Sequence, residues 1–235
     1  WLRPCGRPAR SQRRPTCSGK MERRIKFFLF LMTLHGSLLI TSTVAGSKLF
    51  ALPFGLSASA TVISYMLTFV MLDAIAELYG ARFSRLVINL GLVGMALSAL
   101  YFKLTIALPP AGVWPYQEAF ETVLGSSWRI WLAGWLAYLA SQYLDLWGFL
   151  KMRDVTQGRA PLALRAFVGM LVGQFFDTTV FVTVAFYGSF PLGPALVGQY
   201  LAKVAVASLG APLVWLAVVL GKRWVGRADA SPALT

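Results

Sequence analysis

Apolar residues fall into six long blocks along this 235-residue chain. They read as about Ile25–Ser47, Ser57–Glu77, Leu86–Leu108, Trp128–Leu150, Leu162–Tyr187 and Pro194–Leu220. Each block has about 20 or more residues with few or no charges, enough for a helix to cross about 30 Å of hydrocarbon. The pattern predicts an all-α polytopic membrane protein with six transmembrane helices. Basic residues precede the first block, as they do in a signal peptide. Its apolar stretch is too long for that role, and Gly46-Ser47-Lys48 leads quickly into the next block, so it reads as a retained helix. A shorter stretch, Tyr116–Leu124, is apolar at Tyr116, Ala119, Phe120, Val123 and Leu124, with Glu118 and Glu121 between them. That spacing predicts a short helix lying on the outer surface, flanked by Trp114, Trp128 and Trp131.

Composition points the same way. The chain is 57% hydrophobic and 13% charged, against about 45–50% and about 25% for an ordinary soluble domain. A water-soluble globule, a disordered chain and a secreted disulfide scaffold are excluded, and a nucleic-acid partner is not expected. The lipid bilayer is. Cys5 and Cys17 both lie in the basic N-terminal stretch and His35 is the single histidine, so no metal cluster and no cofactor are expected.

The net charge of +13 is uneven. Residues 1–26 hold nine Lys or Arg against the single acid Glu22. Met21 is the first methionine and leads straight into the apolar run. Residues 1–20 are therefore expected to be a basic extension outside the natural protein. Residues 21–226 then form the six-helix transmembrane domain and 227–235 a short tail. Peptides from residues 3–20 in a digest of the natural protein would refute this. With the N-terminus inside, 18 of the 22 cations fall on inner segments, and Lys48, Lys103 and Arg129 on the outer side. The positive-inside rule then places both termini in the cytoplasm.

Ionisable groups at membrane depth are costly and face a cavity or a partner. Here they are Lys48, Asp73, Glu77, Asp145, Asp177 and Lys203, with Arg165 near the inner boundary. Asp73 and Glu77, four apart, share one helical face, so a nearby cation or a raised pKa is expected. One reading of Glu77 is a clasp to Arg82 or Arg85 at the surface. Ser141-Gln142-x-x-Asp145 and Gln174-x-x-Asp177 repeat one motif 32 residues apart, on helices expected to run antiparallel. Such amides and carboxylates can read the hydrogen-bonding edge of a planar heterocycle, with Phe175, Phe176, Tyr143 or Trp147 available to stack on it. They also serve as polar glue between helices. Lys203, one turn beyond Gln199 and before Pro212, could neutralise Asp145 or Asp177 or respond to substrate or proton binding. Lys48 reads as an interfacial anchor or a second counter-cation, and His35 as a satisfied interior imidazole.

Taken in order, Asp73-x-x-x-Glu77-x-Tyr79-Gly80, Ser141-Gln142-x-x-Asp145, Arg165, Gln174-x-x-Asp177 and Lys203 before Pro212 resemble the YhhQ-type queuosine-precursor transporters. The likeness covers about Phe27–Leu220. Ala76 departs from the family pattern, which often has Asn before that Glu. The resemblance implies a bacterial inner-membrane protein that takes up 7-deazaguanines, such as 7-cyano-7-deazaguanine, for transfer-RNA modification. It implies a substrate site drawn from Gln142, Asp145, Gln174, Asp177, Lys203, Ser141, Asp73 and Arg165, with Glu77, Tyr79 and Lys48 as gate or structural residues. The competing reading is a substrate-binding subunit of an energy-coupling-factor transporter. An enzyme is not expected, since one histidine leaves little scope for a Ser–His dyad. Whether the chain forms a homodimer is left open.

Overall fold

A computed structural model describes residues 17–46, 48–51, 57–125, 128–187 and 192–225. The expected tail 227–235 and most of the expected extension lie outside them. Among the described residues, six long helices make up nearly all of the structure: α1 (Cys17–Ala45), α2 (Thr61–Tyr79), α3 (Ala81–Ala107), α5 (Trp128–Val155), α6 (Leu162–Phe186) and α7 (Leu192–Val225). The eight-residue α4 (Gln117–Leu124) follows α3, matching the short helix expected there. Strands β1 (Leu49–Ala51) and β2 (Ser57–Ser59) pair antiparallel between α1 and α2. The apolar pattern gave no sign of this hairpin and started the second span at Ser57.

Among the described residues, five helices are long and apolar enough to cross a membrane: Met21–Ala45 within α1, α2, α3, Leu162–Ala185 within α6 and Leu196–Trp224 within α7. The 28-residue α5 is long enough, at about 1.5 Å per residue, but falls short in composition. The residues that lower its hydropathy explain why. Ser141, Gln142 and Asp145 are fully buried, and Trp131 and Trp135 line an internal cavity. They face protein and cavity, so a lipid-based measure undervalues this helix.

The helices alternate in direction, each antiparallel to its sequence neighbours. Between α2 and α3 the reversal takes one residue: Gly80 has φ 90° and ψ 165°, a conformation open to glycine and strained for residues with a Cβ. The core is built around α2, where Phe69, Leu72, Ala74 and Ile75 are completely enclosed. Outward-facing leucines and aromatics, such as Leu97, Leu104 and Trp215, are left exposed. In water that would be a liability; in a bilayer it is the lipid-facing surface.

α5 and α6 form the most extensive helix pair, and small residues set how closely they approach. A Cβ added at Gly173 would lie 2.8 Å from the Ser141 carbonyl oxygen, and one at Gly169 the same distance from the Asp145 carbonyl. Both neighbours are backbone, which cannot swing aside. This small-residue spacing on α6 is a general device for close packing of membrane helices. Gly173→Leu is expected to destabilise the fold by about 1–3 kcal/mol, as overpacking does. A lowered midpoint of thermal unfolding in detergent would register it.

Candidate functional site

One large cavity of about 570 Å³ opens between α1, α2, α3, α5, α6 and α7. Its rim includes exposed Thr43 near the end of α1, Thr122 of α4 and Gly125 just beyond. The cavity therefore reaches the surface at the end of the bundle that carries β1, β2 and α4. Lys103 lies 5.3 Å over the Trp131 ring near this rim. Trp131 and Trp135 of α5 and Phe181 of α6 supply aromatic wall.

The floor is polar and nearly sealed. Gln174 is 2% exposed, and Asp177 and Lys203 are 6% exposed each. Lys203 Nζ donates to Asp177 Oδ2 in a buried ion pair. The other oxygen of Asp177 accepts the Tyr65 hydroxyl at 3.0 Å. Tyr65 Oη also lies 3.3 Å from Ser141 Oγ, so α2, α5, α6 and α7 meet at this carboxylate. Gln174 is largely unused: among the described residues Oε1 has no hydrogen-bond partner, and Nε2 reaches only the Met66 sulfur at 4.0 Å. Gln199 lines the cavity one turn from Lys203.

Of the two Gln-x-x-Asp motifs, the structure brings only Gln174 and Asp177 to the cavity. Ser141, Gln142 and Asp145 lie behind its wall, with Gln142 Nε2 donating to Thr68 Oγ1 at 3.1 Å. The two motifs sit on antiparallel helices as expected. Antiparallel packing sends successive residues of α5 and α6 in opposite directions along the bundle, so the motifs end at different depths.

Asp73 and Arg165, expected in the substrate site, do not line the cavity: they gather with Asp145 and Glu77 further along α2. Arg165 Nη2 donates to Glu77 Oε1 at 3.3 Å, Nη1 lies 3.3 Å from Oε2 in the same ion pair, and the guanidinium lies 5.2 Å over the Phe149 ring. The expected counter-cation for the Asp73/Glu77 face is thus Arg165, from α6. Arg82 and Arg85 do not clasp Glu77: past Gly80, α3 carries both to exposed positions. Tyr79 joins α2 to α1, its hydroxyl donating to the Arg24 carbonyl at 2.8 Å. Lys48 is exposed beside β1 and does not line the cavity. His35 is buried, with Nδ1 3.2 Å from the Thr68 carbonyl and Nε2 3.3 Å from Tyr138 Oη.

The stacking candidates differ from those expected. Phe175, Phe176, Tyr143 and Trp147 all point outward and are exposed. Trp131, Trp135 and Phe181 hold the cavity positions instead. A signal for the tryptophans was present on α5. Trp131, Trp135, Tyr138, Gln142 and Asp145 recur at three- or four-residue spacing, so one face runs from the aromatic residues to the acid. Tyr65 gave no such signal, because a single tyrosine near the end of an apolar span reads as an interfacial aromatic.

The fold and the cavity are those of a membrane protein with a small-molecule chamber enclosed by its helices. Residues 59–217 match a family described as "putative vitamin uptake transporter", and the chain belongs to that family. It is also 30% identical over 167 residues to a "probable queuosine precursor transporter" of Bacillus subtilis (strain 168), covering 70% of this chain and 73% of that protein. No solved structure matches the chain. As a member of this family the chain is a membrane transporter.

Proposed function

We propose that the protein imports 7-deazaguanine queuosine precursors across the bacterial cytoplasmic membrane. In this reading all six long helices span the bilayer, α5 included, both termini are cytoplasmic, and the cavity faces outward. Its orientation is supported by the cations: Arg82, Arg85, Lys151, Arg153, Lys222 and Arg223 lie at the end of the bundle away from the cavity mouth. The relative's name supports the substrate class.

The observation that carries the reading is the cavity floor, where Gln174, Asp177 and Lys203 stand together, nearly buried, with Gln174 Oε1 unpartnered among the described residues. A 7-deazaguanine presents N1–H and an exocyclic amine beside a carbonyl oxygen. The Asp177 carboxylate can accept the two N–H groups, and the Gln174 amide or the Lys203 ammonium can donate to the oxygen. Trp135 and Phe181 offer faces for the ring. The volume lies within the range of about 300–1,000 Å³ common to small-molecule sites.

Complementation tests this. A strain unable to make the precursor, carrying this gene, should recover queuosine in its transfer RNA at limiting external 7-cyano-7-deazaguanine. Transfer RNA still lacking queuosine, with the protein present in the membrane, would overturn the reading. Gln174→Leu should lower uptake about three- to tenfold at limiting substrate, the worth of about one hydrogen bond.

A further inference from the structure

Beyond the cavity floor, four buried carboxyl oxygens lack a hydrogen-bond partner among the described residues. Asp73 of α2 and Asp145 of α5 are fully enclosed, and none of their side-chain oxygens has a hydrogen-bond partner among the described residues. The charged groups that act on Asp73 are Asp145, Arg165 and Glu77. Arg165 is already engaged, with both terminal nitrogens on Glu77, while its Nε is buried and unpartnered. From the other packed elements, α3 contributes the buried hydroxyl of Ser84 and no buried charge. His35 of α1 is bonded to Thr68 and Tyr138, and Lys203 of α7 to Asp177.

Two buried carboxyl groups thus lack a counter-cation of their own. An uncompensated buried charge costs several kcal/mol, so the pair calls for a cation from outside the chain. A Ca²⁺-type ion takes about six to eight oxygens, and no group of three or more metal-ligating His, Cys, Asp or Glu occurs among the described residues. A proton needs only the pair.

We infer that Asp73 and Asp145 form a proton-binding site, separate from the substrate cavity, and that its occupancy is coupled to substrate transport. The coupling route is a chain of short contacts. Asp177 accepts from Tyr65 Oη at 3.0 Å, and the Tyr65 carbonyl accepts from Thr68 Oγ1 at 2.6 Å. Thr68 Oγ1 in turn accepts from Gln142 Nε2 at 3.1 Å. Gln142 lies one helical turn from Asp145, and its Oε1 is itself unpartnered and buried. A substrate that competes for Asp177 perturbs one end of this chain, and protonation of the pair perturbs the other. In one transport cycle a proton enters from the outer solution, is held by the pair while the substrate occupies the cavity, and leaves on the inner side.

This inference rests on the import reading above, and the test separates the two. The wild-type protein is reconstituted in liposomes with the membrane voltage clamped and 7-cyano-7-deazaguanine as probe. Substrate counterflow reports transport without a gradient; uptake under an outside-acid gradient reports coupling. A gradient of one pH unit should support accumulation of up to about tenfold for one proton per substrate, because about 1.4 kcal/mol is tenfold. Substrate entry should also acidify a lumen loaded with a pH-sensitive dye. Asp73→Asn and Asp145→Asn should keep counterflow and lose the response to the gradient. Wild-type counterflow with no gradient response and no lumenal acidification would overturn the proton site alone. Absence of counterflow would overturn the import reading and this inference with it. If the Asn variants do not fold, the dye measurement on the wild type decides.

Discussion

Asp177→Asn should cut uptake about 10- to 100-fold, the largest functional effect expected of any single conservative change in the cavity. Hydrogen bonds to a charged group are worth about 1.5–3 kcal/mol, and each 1.4 kcal/mol is about tenfold in affinity. Asp177 takes Lys203 on one oxygen and Tyr65 on the other, so it also holds three helices together. Loss of uptake by the single variant could then reflect either recognition or folding. Lys203→Gln combined with Asp177→Asn separates them, since it removes both charges and leaves none buried without a partner. The double variant should recover stability and membrane yield while uptake stays low. A double variant that transports like wild type would show that the pair is structural only.

The largest expected loss of stability comes from Arg165→Ala. Its guanidinium holds Glu77 through two contacts of 3.3 Å and covers the Phe149 ring. Breaking a buried pair from one side costs about 3–5 kcal/mol, because the remaining charge is stranded. Here the stranded Glu77 would stand near Asp73, whose oxygens already lack partners among the described residues. Glu77→Gln added to Arg165→Ala should recover part of the loss. Unfolding midpoints in detergent that fall in the order wild type, double variant, Arg165→Ala would bear this out. Equal midpoints for all would contradict it.

Much of the helical layout was legible because contiguous apolar length is a direct physical requirement of hydrocarbon. The block read as Leu162–Tyr187 became α6 at Leu162–Phe186, and Trp128 opens α5 as expected. Short polar punctuation was less legible. The strands at Leu49–Ala51 and Ser57–Ser59 are three residues each, too brief for an alternating pattern to stand out beside apolar helices. For the candidate site, residue type singled out Gln174, Asp177 and Lys203, since an ionisable group in an apolar span has few uses. Depth was not legible. Whether Asp145 faces the same chamber as Asp177 depends on where antiparallel helices meet, and that is set by the close approach at Gly169 and Gly173. Wall residues were hidden for another reason: an aromatic facing lipid and one facing a cavity have the same hydropathy. Trp135 and Trp147 differ only in the face of α5 they occupy.

That the cavity is the chamber substrate enters can be tested at Gly134, which lines it and has no atom within 4 Å of where a Cβ would stand. With Cys5 and Cys17 changed to serine, Gly134→Cys places a single thiol on the chamber wall. A membrane-impermeant maleimide added from the outer face should modify it, and 7-cyano-7-deazaguanine should slow the reaction in proportion to its occupancy. Modification from the outer face at a rate that saturating substrate leaves unchanged would contradict the account.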